Sequence, residues 1–443
     1  MSSSSRLSTD TSVREAYSAD VSGLVMVPDA VARPASADEV IVTLKQASAE
    51  RTPVTPAGSQ TSTTGASITD RGILLSLRAM DRIIDIDVAA RRAVVEPGVL
   101  LGDLNRALTA HGLLFAPDPT SLDDVTVGGA VACNASGARS LLYGATRPHV
   151  HALNVVLANG ERIQVARSGL DKNTAGYAFA QEPVDWFVGS EGTLGVIARA
   201  ELSLIPLPAS VTGLAFPCPD EATALDLVIA IRSSALRPRC IEYFDPVALD
   251  IALTRTGALV YVEDATETPL DAWMELAESH GVASDIEVFE GEAALREARK
   301  FRHAVPATMN ERGAAQRPRG GRKVSTDWAV PFRVLPQTIA AARRLVDAAG
   351  LEQPAIYGHA GNGHPHQNFI ARDADELQRI EGVVEATLRH VLSIGGTVSA
   401  EHGIGKLKRK WLPLQASPAQ LRVMRAVKNE LDPHGLLAPG NIL

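Results

Sequence analysis

The sequence predicts a protein of the α+β class with more than one domain. The chain has 443 residues, more than one compact core usually contains, and 45% of them are hydrophobic, which is enough to build large cores. Short strands and short helices alternate over residues 23–207, whereas longer helices separate the strands from residue 208 onward. Two prolines in LSLIPLPAS mark this change. We therefore expect an N-terminal arm at 1–22, a first domain at 23–207 and a second domain that begins at residue 208.

The composition excludes several functional classes. A net charge of −8 gives no basic footprint for a nucleic acid. Cys133, Cys218 and Cys240 form no CxxC pair and are too few for a disulfide framework or a four-thiolate cluster. The start MSSSSRLSTDTS lacks the apolar segment of a secretory signal, and no apolar run approaches the roughly 18–20 residues of a membrane helix. We expect a disordered first dozen residues and a cytoplasmic protein, with peripheral membrane contact as the alternative.

The elements of the first domain follow from caps and periodicity. Ser36 and Glu39 fit a capping box in front of an apolar stripe, which predicts a helix. GVLLGDLNRALTAHG predicts a second helix with Gly112 at its C-terminal end. The Asn-Gly pair in ALNVVLANGERIQV predicts a β-hairpin.

Longer helices are predicted further along the chain. One helix, in QTIAAARRLVDAAG, precedes a strand that leads into GHAGNGHPHQNF. A second helix, in DELQRIEGVVEATLRHVLSIGG, leads into SAEHGIGK. The last helix begins at Ser417-Pro418, a favourable N-cap and first-turn pair, and ends before Pro433.

Three segments are rich in glycine and small polar residues: PAGSQTSTTGAS, PDPTSLDDVTVGGAVACNASGARSLLYGATRPHV and GSEGTLGVI. In the first segment, small residues allow backbone amides to converge on a phosphate, although an ordinary solvent loop is an equal alternative. Neither a Walker loop nor a Rossmann fingerprint is present. In the second segment the glycines argue against a standard helix, since each costs about 1 kcal/mol there. We expect close backbone approach to a large ligand instead.

In order and spacing, these segments resemble the FAD domain of the vanillyl-alcohol oxidase/p-cresol methylhydroxylase (PCMH) flavoprotein superfamily. The branch resembled is that of the FAD-linked 2-hydroxyacid dehydrogenases and oxidases, from about residue 14 to the C-terminus. The resemblance implies a PCMH-type FAD-binding domain of two subdomains. It also implies a cap domain at 208–400, with an antiparallel sheet covered by helices over the substrate. The terminal DPHGLLAPGNIL resembles DPxGILNPGKIL, which implies that residues 401–443 return to the FAD domain.

The resemblance also implies which residues bind the cofactor. The expected FAD contacts are Pro56, Gly58, Ser59, Gln60, Thr61, Ser62, Pro119, Gly128, Gly129, Asn134, Ser136, Gly137, Tyr143, Gly144 and Ile197. Gln60 stands where the family usually has a glycine. Members with covalent flavin carry a histidine in the first loop, and none is present here, so we expect non-covalent FAD.

Histidines and a glutamate cluster in two glycine-rich motifs. His359, His364 and His366 lie in HAGNGHPH, and Glu401-His402 lies in SAEHGIG. If His366 is on a strand, His364 and His366 point to the same face, because they are two residues apart. Two histidines and a carboxylate are a recurrent metal-ligand set with open positions for substrate. Solvated histidines are the alternative.

The family resemblance assigns roles to these motifs. GHAGNGHPHQNF resembles GHxGDGNxHxN, and SAEHGIG resembles GEHGIG. The implied ligands of a divalent metal, Zn or Mn, are His359, His366 and Glu401. His364 replaces the usual asparagine, and could add a ligand, replace one or face solvent. The implied catalytic residues are His402 as general base, Arg302 for the substrate carboxylate and Asn368 as a polar group beside the substrate.

By resemblance, the reaction is oxidation of a D-2-hydroxyacid, with D-lactate as the first choice, to the 2-oxoacid. His402 takes the hydroxyl proton, the metal polarises the oxygens, and a hydride passes to the flavin. Electrons then leave to an external quinone, cytochrome or electron-transfer flavoprotein. The alternatives are a D-2-hydroxyglutarate or glycolate dehydrogenase, a metal-dependent hydrolase, or an inactive flavin-binding subunit of a multi-subunit oxidase. A homodimer is one assembly that fits.

Overall fold

The computed structural model describes residues 7–282 and 285–443. They divide into two compact units. The first unit consists of residues up to 137, residues 144–207 and residues 401–443. The second unit consists of residues 138–143 and 208–400. The short stretch 138–143 therefore lies within the first unit's sequence but packs with the second unit.

The described strands and helices follow in chain order. The strands are β1 (Leu7–Ser8), β2 (Ala30–Ala32), β3 (Val54–Ala57), β4 (Ile73–Ser76), β5 (Ile83–Asp87), β6 (Arg92–Val95), β7 (Leu113–Leu114), β8 (Val150–Val156), β9 (Arg162–Ala166), β10 (Val196–Ser203), β11 (Ile205–Pro206), β12 (Thr212–Cys218), β13 (Cys240–Phe244), β14 (Ala258–Asp264), β15 (Glu287–Glu290), β16 (Gly320–Ser325), β17 (Ala355–His359) and β18 (His364–Asp373). The helices are α1 (Thr11–Ala16), α2 (Ala37–Glu50), α3 (Leu101–Thr109), α4 (Val127–Cys133), α5 (Ser140–Tyr143), α6 (Ala178–Gln181), α7 (Val184–Phe187), α8 (Glu221–Ser233), α9 (Pro246–Leu253), α10 (Leu270–Ser279), α11 (Gly291–Ala314), α12 (Leu335–Ala348), α13 (Ala374–Ser393), α14 (Leu412–Gln415) and α15 (Pro418–Leu431).

The first unit contains two main sheets. The four-stranded sheet has the order β1-β2-β4-β3, with β4 parallel to both β2 and β3. The five-stranded sheet has the order β5-β6-β10-β8-β9 and is antiparallel throughout. The predicted hairpin is confirmed, because β8 pairs with β9 and Gly160 at the turn has a φ of 81°. Helix α2 buries Val40 and Leu44 against the first sheet, as its apolar stripe predicts.

The expectation that the glycine pair of the second segment does not form a helix is wrong. Gly128 and Gly129 lie inside α4, whose first turn is capped by a 3.1 Å hydrogen bond from the Gly129 amide to Thr126 Oγ1. A Cβ on Gly128 would lie 2.6 Å from Pro97 Cβ. Glycine is therefore required there by tight packing of the helix against Pro97, which outweighs its low helix propensity.

The expectation of disorder over the first dozen residues is wrong for residues 7–12. Strand β1 pairs with β2, and Asp10 caps α1 by accepting hydrogen bonds from the amides of Ser12 and Val13. Val13 and Tyr17 pack against the buried cluster of Val31, Ala57 and Leu74. Apolar contacts one and five residues beyond the polar start, at Val13 and Tyr17, thus hold this segment on the sheet.

The second unit is built on a seven-stranded antiparallel sheet. Its strand order is β15-β12-β14-β13-β17-β18-β16. Helices α9 and α11 pack on the sheet face that carries Phe244 and Tyr357, where α11 contributes Val305 and Met309 to a buried cluster. This is the antiparallel sheet covered by helices that we expected.

The C-terminal segment belongs to the first unit. Ser417 forms a capping box with Gln420 at the start of α15, which confirms the predicted first turn. After α15, Leu437 bridges Val54 of β3, and Lys428 Nζ donates to the carbonyls of Thr193 and Leu437. The last residues therefore contribute to the core of the first unit.

Candidate functional site

The three glycine-rich segments come together within the first unit. A Cβ on Gly58 would lie 2.2 Å from Thr126 Oγ1, so the first segment touches the second. A Cβ on Gly192 would lie 2.4 Å from Pro56 Cγ, so the third segment touches the first. The Glu191 amide donates to the carbonyl of Ala132 at 2.8 Å, which joins the third segment to α4. Because Gly58 and Gly192 have no side chains, the three segments can pack closely against one another.

The loop after β3 presents unused amide donors. Within the described part of the chain, the backbone N–H groups of residues 59–63 donate no hydrogen bond. The same loop holds Ser62 Oγ, which accepts from the amides of Thr64 and Ala66 at 3.2 Å and fixes the loop's second half. Consecutive amides without acceptors form a favourable site for an anion. The loop therefore fits a diphosphate such as that of FAD.

Gln60 adopts a backbone conformation that glycine favours. Its φ is 57°, in the left-handed region. Its side-chain Nε2 donates to the carbonyl oxygens of Tyr17 at 2.9 Å and Ala19 at 3.2 Å. The N-terminal arm thus holds Gln60 in a conformation that a non-glycine residue disfavours.

The remaining predicted flavin residues divide between the units. Asn134 ends α4 with a φ of 49° and accepts from the Arg147 amide at 2.8 Å, while Ile197 is buried on β10. A Cβ on Gly137 would lie 2.2 Å from the carbonyl oxygen of Asp118. The predicted residues that lie in the first unit are Pro56, Gly58, Ser59, Gln60, Thr61, Ser62, Pro119, Gly128, Gly129, Asn134, Ser136, Gly137, Gly144 and Ile197. Tyr143, at the end of α5, packs with the second unit.

The turn that carries His402 is fixed by the first unit. Buried Glu191 accepts hydrogen bonds from the amides of Ile404 at 2.6 Å and Gly405 at 2.8 Å. Thr64 Oγ1 donates to the carbonyl oxygen of His402 at 3.3 Å. Burial raises the pKa of Glu191, and the two amide hydrogen bonds oppose that rise. Sequence reasoning missed Glu191, which lies in the third glycine-rich segment, 213 residues before Ile404.

In the second unit, strands β17 and β18 place the histidine motif on one face of the sheet. His359 pairs with His364, Tyr357 with His366 and Ala355 with Asn368. Cross-strand partners and residues two apart share a face, as the spacing of His364 and His366 predicts. The strands are joined by a short turn in which Gly363 has a φ of 68°, and a Cβ there would lie 2.0 Å from the carbonyl oxygen of Val330.

The three imidazoles form a compact buried cluster. The ring centroids of His359 lie 5.5 Å from those of both His364 and His366, and the latter two are 4.6 Å apart. One ligand atom from each ring lies within 4.8 Å of the others. The residues are only 3–8% exposed. Three converging nitrogen donors are the chemistry that a borderline divalent metal selects, so this cluster fits such an ion.

Glu242 orients the first of these histidines. Glu242 Oε1 lies 2.6 Å from His359 Nδ1, which leaves Nε2 as the available lone pair. On the other side, Glu242 Oε2 lies 3.0 Å from Arg302 Nε, and Arg302 Nη2 lies 3.3 Å from His359 Nε2. Burial would raise the pKa of Glu242, but Arg302 and His359 outweigh it and lower the pKa to about 2. Predicted Arg302 thus lies at the histidine cluster, and Glu242 is a residue that sequence reasoning missed.

Asp327 is a second carboxylate at the cluster. Its Oδ1 lies 3.1 Å from His364 Nε2, and its Oδ2 accepts a hydrogen bond from Ser399 Oγ at 2.8 Å. The carbonyl oxygen of Asp327 accepts from the Ala400 amide at 2.8 Å. The predicted ligand Glu401 follows Ala400 in the chain and belongs to the first unit. There its Oε1 lies 3.4 Å from His402 Nε2.

Asn368 is fully buried on the same sheet face. It is 0% exposed, and among the described residues neither its Oδ1 nor its Nδ2 has a hydrogen-bond partner. An unpaired buried polar group costs about 1–3 kcal/mol. Within a polar cluster, the unpaired amide atoms of Asn368 therefore indicate a binding position for polar atoms of a ligand.

The comparisons with known proteins decide the family. The profile described as FAD binding domain matches residues 28–166. The profile described as FAD linked oxidases, C-terminal domain, matches residues 207–442, more than half of the chain. The chain belongs to the FAD-linked oxidases. It is therefore an FAD-linked oxidoreductase, and the predicted family and PCMH-type fold are confirmed.

Curated relatives of this FAD-linked oxidase cover nearly its whole length. The glycolate oxidase subunit GlcD of Bacillus subtilis (strain 168) is 31% identical over 94% of the chain and 89% of the relative. A probable mitochondrial D-lactate dehydrogenase of Danio rerio is 33% identical over 99% of the chain and 89% of the relative. The D-2-hydroxyglutarate dehydrogenase of Xanthomonas citri pv. viticola (strain LMG 965 / NCPPB 2475 / ICMP 3867 / CFBP 7660) is 29% identical over 94% and 89%.

A solved structure shares the fold. An alkyldihydroxyacetonephosphate synthase superposes with a TM-score of 0.75 at 16% identity, covering 98% of this chain and 83% of that one. Among the described residues of this FAD-linked oxidase, no helix is both long and apolar enough to cross a membrane.

Proposed function

We propose that this FAD-linked oxidase oxidises a D-2-hydroxyacid, D-lactate in the first place, to the corresponding 2-oxoacid. The observation that carries the proposal is the buried polar face of the second unit. There, three imidazoles, Arg302 and the unpartnered amide of Asn368 lie on or against one sheet face. Relatives named for D-lactate, glycolate and D-2-hydroxyglutarate support a substrate of this class.

We propose that the first unit holds FAD without a covalent bond. The amides of residues 59–63 would bind the diphosphate, because among the described residues they have no acceptor. The chain offers no histidine in that loop. When bound, the flavin supplies the two-electron oxidation, accepting a hydride from the substrate carbon.

We propose that His359, His366 and Glu401 are ligands of a divalent metal, Zn or Mn. The Nδ1 atoms of His359 and His366 face oxygen atoms of Glu242 and Thr326, at 2.6 Å and 3.4 Å, which leaves Nε2 of each ring for an ion. When bound, the metal supplies Lewis-acid stabilisation of the substrate's hydroxyl and carboxylate oxygens.

We propose the remaining roles for this chain's own side chains. His402 takes the hydroxyl proton, Arg302 supplies the positive charge for the substrate carboxylate, and the Asn368 amide binds a substrate oxygen. A guanidinium binds a carboxylate well because two N–H groups can face its two oxygens. Glu242 holds the Arg302 side chain through a 3.0 Å contact, so the guanidinium is already positioned before substrate arrives.

We propose that electrons leave the protein to an external quinone, cytochrome or electron-transfer flavoprotein. The chain has three cysteines, and two of them, Cys218 and Cys240, are buried. An iron–sulfur cluster normally needs four ligands close together. We therefore propose no electron transfer through an iron–sulfur cluster within this chain.

The test is stopped-flow reduction of the purified, FAD-loaded protein by a panel of D-2-hydroxyacids, followed by bleaching of the flavin absorbance. We expect D-lactate to reduce the flavin. The His402→Ala protein should retain FAD but reduce it about 10²–10⁴-fold more slowly. His111→Ala removes an exposed histidine of the same unit and should behave as the unmodified chain. No bleaching by any acid contradicts the proposed reaction, and an unchanged rate for His402→Ala contradicts the base.

A further inference from the structure

His364 is placed to act together with the other two histidines. It begins β18, opposite His359 in the register, and its ring centroid lies 4.6 Å from that of His366. It is 3% exposed, and its Nε2 is buried, so solvent does not satisfy that nitrogen. The arrangement rules out a histidine that faces solvent, which was one of the three readings the sequence allowed.

Among the described residues, one ring nitrogen of His364 lacks a hydrogen bond. His364 Nε2 lies 3.1 Å from Asp327 Oδ1, yet the pair does not have hydrogen-bond geometry. His364 is only 3% exposed, and a buried nitrogen without a hydrogen bond is unfavourable unless an ion or a ligand satisfies it.

We infer that His364 is a third imidazole ligand of the divalent-metal site, beside His359 and His366. One ligand nitrogen from each of the three rings lies within 4.8 Å of the others, so the second unit supplies three nitrogens to one ion. Metal binding at His359 Nε2 replaces the 3.3 Å contact from Arg302, which keeps its 3.0 Å contact with Glu242. This inference rests on the metal site of the proposed function and adds a ligand to it.

The added imidazole determines the class of ion. Nitrogen-rich sites favour Zn²⁺ and the late first-row divalent ions, whereas Mn²⁺ and Mg²⁺ prefer sites dominated by oxygen. Three imidazoles and a carboxylate therefore select Zn²⁺ over Mn²⁺. Replacing His364 by asparagine, the residue usual in the motif, should return the site toward oxygen donors and reduce that selectivity.

The experiment measures metal binding without substrate. The full-length, FAD-containing protein is stripped with a chelator and titrated with Zn²⁺ alone or Mn²⁺ alone, in competition with a chromophoric chelator. For His364→Asn we expect Zn²⁺ affinity to fall at least 10–100-fold, while Mn²⁺ affinity changes by less than about 3-fold. His111→Asn, an exposed histidine, is the matched control and should leave both affinities unchanged.

A second measurement uses the unmodified chain, in case the variant fails to fold. X-ray absorption at the zinc edge should report three imidazoles around the ion. Two imidazoles, or an unchanged Zn²⁺ affinity in a folded His364→Asn protein, would overturn the inference, as would a chain that binds no Zn²⁺. Because neither readout involves flavin reduction, failure of the proposed oxidation and failure of this ligand assignment are seen separately.

Discussion

At the level of one residue, Gln60 shows how a disfavoured backbone conformation is held in place. The left-handed backbone costs an L-residue about 1–2 kcal/mol that glycine avoids. The side chain offsets this cost by donating to the carbonyls of Tyr17 and Ala19. A residue that is strained in isolation is therefore held by the N-terminal arm, and the loop amides keep their orientation.

Two substitutions of Gln60 separate the backbone effect from the side-chain effect. Gln60→Ala keeps the strained φ of 57° and loses the side-chain hydrogen bonds to Tyr17, Ala19 and Ser67, so the free energy of unfolding should fall by about 1–3 kcal/mol. Gln60→Gly loses the same bonds but removes the strain, so its loss should be smaller by about 1 kcal/mol. Denaturant titration of the two variants measures the difference. Equal losses in both would show that backbone strain at Gln60 does not contribute.

Individual site residues differ in how far the sequence could predict them. His359, His364 and His366 lie close together in the chain, so a spacing rule for strands was enough to place two of them on one face. Glu242 lies 117 residues from its partner His359, and no local pattern links them. A glutamate within the apolar run Cys-Ile-Glu-Tyr-Phe was the signal available, because a charge is rarely buried without a partner.

At the level of elements, the turn at residues 402–405 depends on a carboxylate from a distant segment. Both oxygens of Glu191 accept amide hydrogen bonds from this turn. Gly403 has a φ of 73°, and a Cβ there would lie 2.5 Å from Glu191 Oε1. The close approach leaves no room for movement of the carboxylate, so Glu191 acts as a positioning residue for the backbone that carries His402.

Glu191→Gln should disturb this turn. An amide in place of the carboxylate keeps one acceptor but points N–H groups at a backbone N–H, so one hydrogen bond is lost. We expect flavin reduction to slow by about 10–100-fold with FAD content preserved, because His402, the proposed base, is displaced rather than removed. The pH profile of the rate should also shift, which a general loss of stability would not produce. Glu161→Gln, at an exposed position of the same unit, is the control; equal rates for both variants would contradict the role of Glu191.

Elements with local signals were predicted, and elements that depend on distant contacts were not. The cap at Ser417 and the turn at Gly160 lie within a few residues of the elements they define, and both were confirmed. Helix α4 was missed because Gly128 is required by close packing against Pro97, about thirty residues earlier in the chain. The packing of residues 138–143 with the second unit was likewise not visible locally.

At the level of the whole molecule, two buried carboxylates of the second unit, Glu263 and Glu242, bind arginines on one sheet face. Glu263 accepts hydrogen bonds from Arg239 Nε at 2.7 Å and from Arg299 Nε at 2.8 Å. On the neighbouring strand, Glu242 contacts Arg302 at 3.0 Å. Burial would raise the pKa of Glu263, but Arg239, Arg139 and Arg299 outweigh it and lower the pKa to about 2, as for Glu242.

These carboxylates make the stability of the chain sensitive to acid. A folded-state pKa near 2, below the ordinary value of 4.5, means that the unfolded chain binds more protons between those two pH values. The stabilisation is therefore complete above about pH 4.5 and is lost as the pH falls toward 2. A shift of this size corresponds to about 3 kcal/mol for one group. The midpoint of thermal unfolding should fall steeply over this interval.

Glu263→Gln tests the assignment. At neutral pH the variant should be less stable by about 3–5 kcal/mol, because Arg239, only 4% exposed, is left without its carboxylate. Between pH 4.5 and 2 its stability should decline less than that of the unmodified chain, since one titrating group is gone. Glu292→Gln, exposed on α11, should follow the unmodified chain at every pH. Parallel declines for Glu263→Gln and the unmodified chain would place the acid sensitivity in other groups.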